Sequence, residues 1–359
     1  MINFRKNLIQ ELLELEHRVV VAAASPNEKQ RAILEAIGAE VRHAAFLRGG
    51  MNPVKDMSTI LQLVGLFSSV KPDVVIAYTA KPVIYGAIAG RIVRVQSFCA
   101  MITGLGYSFI DGPEAKRKFA RMVTSFLYKW AFKYCPVILF QNPDDRAYFQ
   151  KLGLLPRRST IGLVNGSGVD IDYFALSTLP ADPVFLMIAR LLVDKGIREY
   201  VEAARKLRAS FPNVRTQILG GLDSSPNSVT QEELNSWIED GIEYLGQVED
   251  VRASIAGANV IVLPSYREGT PRSVLEGMAM GRAIITTDAP GCRETVVQGE
   301  NGLLVAPRDG VELFEAMVKL ASDEGLRAKM GAKSRKRAVE KYDAIAVARS
   351  VISQCSLDQ

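Results

Sequence analysis

Two glutamates eight positions apart, Glu268 and Glu276, stand on either side of Gly269-Thr270-Pro271 in the stretch SYREGTPRSVLEGMAMG (265–281). Threonine is a favoured helix cap and proline a favoured first helical residue, so a helix is predicted to start at Pro271. Val274, Leu275, Met278 and Ala279 then form its apolar face. The run NVIVLP (259–264) just before reads as a buried strand. The helix start therefore stands at the carboxyl end of a strand, where open α/β sheets bind ligands. Its free N–H groups and positive dipole end favour an anion, and Gly269 lets a ligand approach the backbone closely. Carboxylates accept hydrogen bonds from hydroxyls. A phosphate flanked by two hydroxyl-bearing parts, as in a nucleotide sugar, would give one set of hydroxyls to Glu268 and the other to Glu276. The spacing alone equally fits a helix with two surface glutamates, because glutamate is common in helices.

A second stretch points the same way. In IARLLVDKG (188–196), Arg190 and Lys195 bracket a short loop between a strand and the next helix. Cations there can neutralise a pyrophosphate, arginine through its fork and lysine as a point charge. The bland alternative is two solvated basic residues.

Elements must position these groups, and the chain alternates β-rich runs with helical stretches as parallel α/β sheets do. Strands are expected near 18–24, 73–78, 95–102 and 136–140 in the first half. In the second half they are expected near 184–189, 215–219, 242–245, 259–263, 283–287 and 302–305. Two Rossmann-like units fit this pattern better than one large sheet, with a hinge near 165–182. The opening is anomalous. Residues 3–16 read as an amphipathic helix, with Phe4, Leu8, Leu12 and Leu15 at helical spacing. A doubly wound domain opens with a strand and a tight turn before that helix. The expectation is a first domain lacking its opening strand, with Met1 an internal residue of a longer reading frame.

Composition narrows the class. A chain of 359 residues, 48% apolar and 23% charged, is expected to form two ordinary globular domains. No apolar run is long enough to cross a bilayer and no leader pattern is legible, so a cytoplasmic location is expected. Four scattered cysteines form no C-x-x-C pair, which argues against a zinc site or a disulfide framework. Two histidines, His17 and His43, leave little for chemistry that needs a histidine pair; His17, at a helix-to-strand turn, reads as structural. Residues 1–165 carry 22 Lys and Arg against 12 Asp and Glu, a net +10, while the rest carries 22 against 27. Such asymmetry suggests that the first half meets something anionic.

In order along the chain stand A-R-L-x-x-x-K-G, Y-L-G-x-V, P-S-x-x-E-G-x-P-x-x-x-L-E-x-M-A-x-G and N-G-L-L-V. Together they resemble the donor domain of retaining glycosyltransferases of family four, and the resemblance extends over nearly the whole chain. It implies the α/β GT-B fold, two Rossmann-like domains facing across a cleft. Residues 1–168 would bind acceptor and 169–340 the nucleotide-sugar donor, with a terminal helix in 341–359 packing back on the first domain. It also implies that Arg190 and Lys195 bind the nucleotide diphosphate, Glu268 the donor sugar and Glu276 the ribose. Backbone at Gly269, Thr270 and Pro271 would meet sugar and phosphate, and Leu245, Gly246 and Val248 would lie by the base. UDP is the expected nucleotide.

The pieces YTAKPVIYG (78–86), MITGLGYSF (101–109), FQNPDDRAYF (140–149) and NGSGVDIDYF (165–174) resemble a narrower branch. Its members act on undecaprenyl-diphosphate-linked sugars in capsule, O-antigen or lipid-linked oligosaccharide assembly. This implies a polyprenyl-diphosphate acceptor and peripheral contact with the anionic inner face of the plasma membrane, with no nucleic acid involved. Lys81, Thr103, Gly104, Arg117 and Lys118 are the acceptor-side candidates. Residues 114–134 hold six Lys and Arg, one Glu and interleaved aromatics, a composition suited to an interfacial helix or to a core helix.

Thr103 stands where many family members carry a histidine, leaving no side-chain general base in sight. The resemblance implies retention of configuration, and the leaving diphosphate can itself take the acceptor's proton on the same face. No carboxylate cluster suggests a metal, so neither metal nor cofactor is expected. Two other readings compete: a sugar-nucleotide epimerase on the same fold, and an inactive nucleotide-sugar-binding paralogue.

Overall fold

Runs such as SFCAMI, VILF and VFLMI are apolar on both faces, as parallel strands covered by helices on both sides must be. In the computed structural model these runs form strands within two units, Met1–Ser167 with Ala344–Gln359, and Gly168–Asp343. The structure describes residues 2–24, 26–44, 53–105, 115–223, 225 and 227–358.

The first unit runs α1 (Ile2–Glu14), β1 (Val20–Ala23), α2 (Glu28–Ala36), β2 (Glu40–His43), α3 (Pro53–Val70), β3 (Val74–Tyr78), α4 (Ala80–Val93), β4 (Ser97–Ile102), α5 (Ala115–Ala131), β5 (Val137–Phe140), α6 (Pro143–Lys151) and β6 (Thr160–Leu163). Its strands are all parallel but fall into two sheets, β1-β2 and β3-β4-β5-β6. Side chains from both enter common cores. Ala22 of β1 joins the core between the four-stranded sheet and helices α3 to α5, while Val19 and Ile76 both pack against a second core that includes Leu8, Leu12 and Met101. Among the described residues no strand pairs with β1 opposite β2, or with β3 opposite β4. Helix α1 packs across both sheets. Ile9 meets Val21, Leu34 and Val41, whereas Leu8 and Leu12 meet Met101, Val137 and Leu139. Each such burial contributes about 1.5–3 kcal/mol.

The second unit holds one parallel sheet in the order β12-β11-β10-β7-β8-β9. Its elements are β7 (Val184–Ile188), α7 (Ile197–Ser210), β8 (Arg215–Leu219), α8 (Gln231–Glu239), β9 (Glu243–Tyr244), α9 (Arg252–Ala256), β10 (Val260–Leu263), α10 (Arg272–Ala279), β11 (Ala283–Thr287), β12 (Gly302–Val305), α11 (Gly310–Ser322) and α12 (Glu324–Tyr342). Buried Arg282 donates to the carbonyls of Ser177 and Thr178, and Arg335 to those of Ile171, Phe174 and Ala279. Two arginines thus fasten residues 171–178, within the stretch expected as a hinge, to the second unit. The last helix, α13 (Ala344–Gln354), packs Val351 and Ile352 against Leu8 and Leu12 of α1.

Two strands escaped the sequence. β2 alternates weakly and exposes two of its four residues, and β6 is an edge strand with no fully buried residue. Neither carries the apolar run by which strands are recognised. His17 has the structural role expected, its Nε2 lying 2.7 Å from the Leu357 carbonyl oxygen. Among the described residues no helix is long and apolar enough to cross a membrane.

Candidate active site

The residues singled out in the second half lie in loops at the carboxyl ends of β7, β9 and β10 and in the first turns of α10. The loop after β7 is tied to the loop after β10 by backbone: Tyr266 N donates to Asp194 O at 2.9 Å, and Ser265 Oγ reaches the same oxygen at 3.2 Å. Gly196 makes this approach possible. Its φ is +71°, and a Cβ there would stand 2.1 Å from Pro264 O.

That approach brings Lys195 Nζ to 2.6 Å from Glu268 Oε1, with each side chain 17% exposed. Burial alone would lower the lysine pKa; the charge and hydrogen bond of Glu268, helped by Asp194, outweigh it and raise it. The lysine is therefore held as an ammonium. The sequence placed these two residues on separate parts of a ligand; the structure also joins them to each other.

Glu268 is fixed from a direction that sequence reasoning missed. Its N–H donates to Pro290 O at 2.9 Å. Gly291, at φ +82°, packs so closely that a Cβ would lie 2.2 Å from Glu268 O and 2.6 Å from Gly269 O. The signal available was the APG turn (289–291) after a predicted strand.

Helix α10 departs from expectation. Its cap is Pro271, in extended backbone at φ −74° and ψ 112°, and the helix runs from Arg272; Thr270 is one residue outside the cap position. The extended ψ at Pro271 moves the helix start on by one residue. Glu276 is 12% exposed and takes Arg272 at 2.7 Å, an i,i+4 pair legible in the sequence but not singled out there. Burial pushes the Glu276 carboxyl above the ordinary glutamate value, Arg272 opposes this, and Asp250 adds to it.

Arg190 is 65% exposed and bonds Asp223 Oδ2 through Nη1 at 2.6 Å. Asp223, another residue not foreseen, lies beyond β8 in a loop whose Gly221 carbonyl accepts from Leu191 N. The neighbouring loop after β9 carries Leu245, Gly246 and Val248. Leu245 N donates to Ile218 O and Gly246 O accepts from Gly220 N, both at 2.8 Å, while Val248 is exposed. The structure thus pairs Lys195 with Glu268, Glu276 with Arg272 and Arg190 with Asp223, along one edge of one sheet.

In the first unit, Lys81 lies in the first turn of α4, Thr103 and Gly104 follow β4, and Thr79 N donates to Met101 O between them. Lys81 Nζ is engaged by Asp56 Oδ1 at 3.0 Å. Thr79 has φ +70°, an outlying conformation for a β-branched residue and one that marks strained backbone at a strand end. Lys118 sits exposed on α5. The side chain of Arg117 and residues 106–114, with part of the MITGLGYSF motif, lie outside the described residues.

Comparison with known proteins covers most of the chain. The family described as "Glycosyl transferases group 1" matches residues 182–323, and "Glycosyl transferase 4-like domain" matches residues 3–161. The N,N'-diacetylbacillosaminyl-diphospho-undecaprenol alpha-1,3-N-acetylgalactosaminyltransferase of Campylobacter jejuni is 28% identical over 95% of this chain and 91% of its own. An Escherichia coli protein, UDP-Gal:alpha-D-GlcNAc-diphosphoundecaprenol alpha-1,3-galactosyltransferase, is 26% identical over 76% and 72%. Among solved structures, Anabaena Alr3699/HepE in complex with UDP superposes with a TM-score of 0.76 at 19% identity, covering 98% of this chain and 95% of that one.

Proposed function

The chain belongs to the group 1 glycosyltransferases, with a glycosyl transferase 4-like first domain, and on that premise we propose that it moves a hexose or N-acetylhexosamine from a UDP-sugar to a sugar carried on undecaprenyl diphosphate. The acceptor reading is supported by the names of the Campylobacter jejuni and Escherichia coli relatives, and the nucleotide by the latter. The work belongs to surface polysaccharide or glycan assembly, at the inner face of the plasma membrane.

The observation that carries the reading is the Lys195–Glu268 pair beside the start of α10. A diphosphate set there meets the Lys195 ammonium, the Arg190 guanidinium and the positive dipole end of the helix start, all suited to the negative charge that grows as the sugar–phosphate bond breaks. Glu268 accepts hydroxyls of the sugar while holding Lys195 in place. Glu276 accepts the ribose hydroxyls, with Arg272 keeping its charge compensated. In the bond-exchanging step the anomeric carbon leaves the diphosphate oxygen and joins the acceptor hydroxyl on the same face. The acceptor's proton passes to the departing diphosphate, and configuration is retained without a protein base. Both site carboxylates are engaged by cations, Glu268 by Lys195 and Glu276 by Arg272, which suits an anion rather than a divalent metal. On the acceptor side, Thr103, Gly104 and Lys81 stand at the equivalent edge of the first unit's sheet.

The test is incubation with a panel of nucleotide sugars and an undecaprenyl-diphosphate-linked acceptor, read by mass spectrometry and by NMR of the anomeric proton, with and without EDTA. Transfer with retention, unaffected by EDTA, is expected. Interconversion of the nucleotide sugar without acceptor would replace this reading with an epimerase, and EDTA inhibition reversed by a divalent ion would remove metal independence.

A further inference from the structure

Helix α5 was expected to serve either as core or as an interfacial element, and its side chains divide between the two. Tyr128 and Phe132, the latter just past the helix, are buried against Phe149 and Phe140. Phe119, Met122, Phe126 and Trp130 are instead 60%, 62%, 70% and 39% exposed. Their spacing of three or four residues puts them in one row about 16 Å long. A row of four large apolar side chains facing water is unlike the scattered exposed apolar residues of ordinary surfaces.

The charge along the helix is of one sign. Helix α5 contains no acidic residue, Lys118 and Lys129 are exposed along it, and Lys133 is exposed just past its end. At its far end, Trp130 stacks edge-on against Tyr134 with centroids 5.5 Å apart. The Tyr134 ring in turn lies 5.5 Å from the Arg91 guanidinium. Tyr134 and Arg91 line a cavity of about 370 Å³ with Gly90, Arg94, Val95 and Phe98. Exposed Ile92 stands between the two arginines in sequence. A row of aromatic and thioether side chains thus leads into a pocket that presents two guanidinium groups.

We propose that this surface docks the protein on an anionic lipid bilayer: Phe119, Met122, Phe126 and Trp130 enter the interface and Arg91 and Arg94 receive a lipid phosphate. Apolar side chains on one face of a cationic helix bind the headgroup boundary, and each surface cation adds attraction to acidic lipid. A second copy of the chain would set like charge against like, which disfavours self-association through this face. The inference deepens the membrane-lipid acceptor reading above and names the surface that brings the enzyme to such an acceptor.

The experiment is sedimentation of the full chain with vesicles of phosphatidylcholine alone or mixed with phosphatidylglycerol, without donor or acceptor. Trp130 fluorescence is followed in parallel; Trp237, the other tryptophan, is buried. Binding to the mixed vesicles with a blue shift is expected. Phe119→Ser/Phe126→Ser lowers the partition coefficient about tenfold or more. Arg91→Ser/Arg94→Ser lowers it by a similar factor at low salt and reduces its salt dependence. These side chains are exposed, so circular dichroism stays as in wild type. Transfer to a short-chain, water-soluble polyprenyl-diphosphate acceptor is also unchanged in the Phe variant. Wild-type binding in either variant overturns the proposal, as does a phenylalanine-dependent dimer with unaltered vesicle binding. Vesicle binding that behaves as stated with no transfer to any acceptor would sink the proposed function and leave this surface standing.

Discussion

Lys195 Nζ and Glu268 Oε1 are 2.6 Å apart across 73 positions of sequence, joining the loop that follows β7 to the loop that follows β10. Removing one partner from a buried pair leaves the other charge uncompensated, at a cost of about 3 kcal/mol. Lys195→Met or Glu268→Gln is expected to lower the melting temperature by about 6–12 °C for a domain of this size. Activity should fall by about 10²–10³, as when a preorganised charge is lost from a transition state. Lys195→Met/Glu268→Leu regains most of the stability and none of the turnover. Melting curves and steady-state rates on all three variants check this; a double variant that recovers turnover would contradict it.

Glu276 gives the pH dependence. Burial first, then Asp250, raise its carboxyl pKa in the fold against the pull of Arg272. Between the unfolded value and this raised value the native state binds more protons than the unfolded one. Stability therefore falls as pH rises through that window. Accepting ribose hydroxyls needs the ionised form, so UDP affinity moves the opposite way, rising with pH across the same window and flat above it. Glu276→Gln should bind UDP about tenfold more weakly at neutral pH and lose the slope, losing a hydrogen bond to a charged group. Calorimetric titration from pH 4.5 to 8 reads both.

Gly291 is a steric constraint on the site. An alanine there faces both φ +82° and a Cβ 2.2 Å from the Glu268 carbonyl oxygen. Gly291→Ala is expected to displace the 268–269 backbone and reduce kcat at least about tenfold, since misplacement of about 1 Å at a site is costly. Wild-type kcat in a folded variant would show that the turn does not position Glu268.

Thr79 holds a φ of +70° at the end of β3. Strain of this kind costs about 1–3 kcal/mol, more than the roughly 0.5–1 kcal/mol of extra chain entropy that glycine loses on folding. Thr79→Gly should therefore raise the melting temperature. A fall would mean that the threonine side chain makes a compensating contact.

Local sequence was enough to place most strands, because a parallel strand buried on both faces needs a continuous apolar run. Such runs mark β3, β4, β5, β7, β10 and β11. β2 and β6 were hidden for the opposite reason: they keep exposed residues, and only their neighbours make them strands. The helix at 272–279 was visible from Thr-Pro and its apolar spacing, yet its cap position depended on the ψ of Pro271, which the loop sets. Over residues 114–134 the sequence recorded six cations and a set of aromatics. Which aromatics face water depended on which side of α5 the four-stranded sheet covers.

By itself, then, the sequence determined the alternating α/β pattern and the motif residues Arg190, Lys195, Glu268 and Glu276. These follow from residue type and short-range spacing. Only the tertiary structure decided that Lys195 closes on Glu268, that Pro290 and Gly291 hold that loop, and that Asp223 tethers Arg190. Each of those contacts joins segments that share no local pattern, and they meet because parallel strands far apart in the chain end side by side at one edge of the sheet.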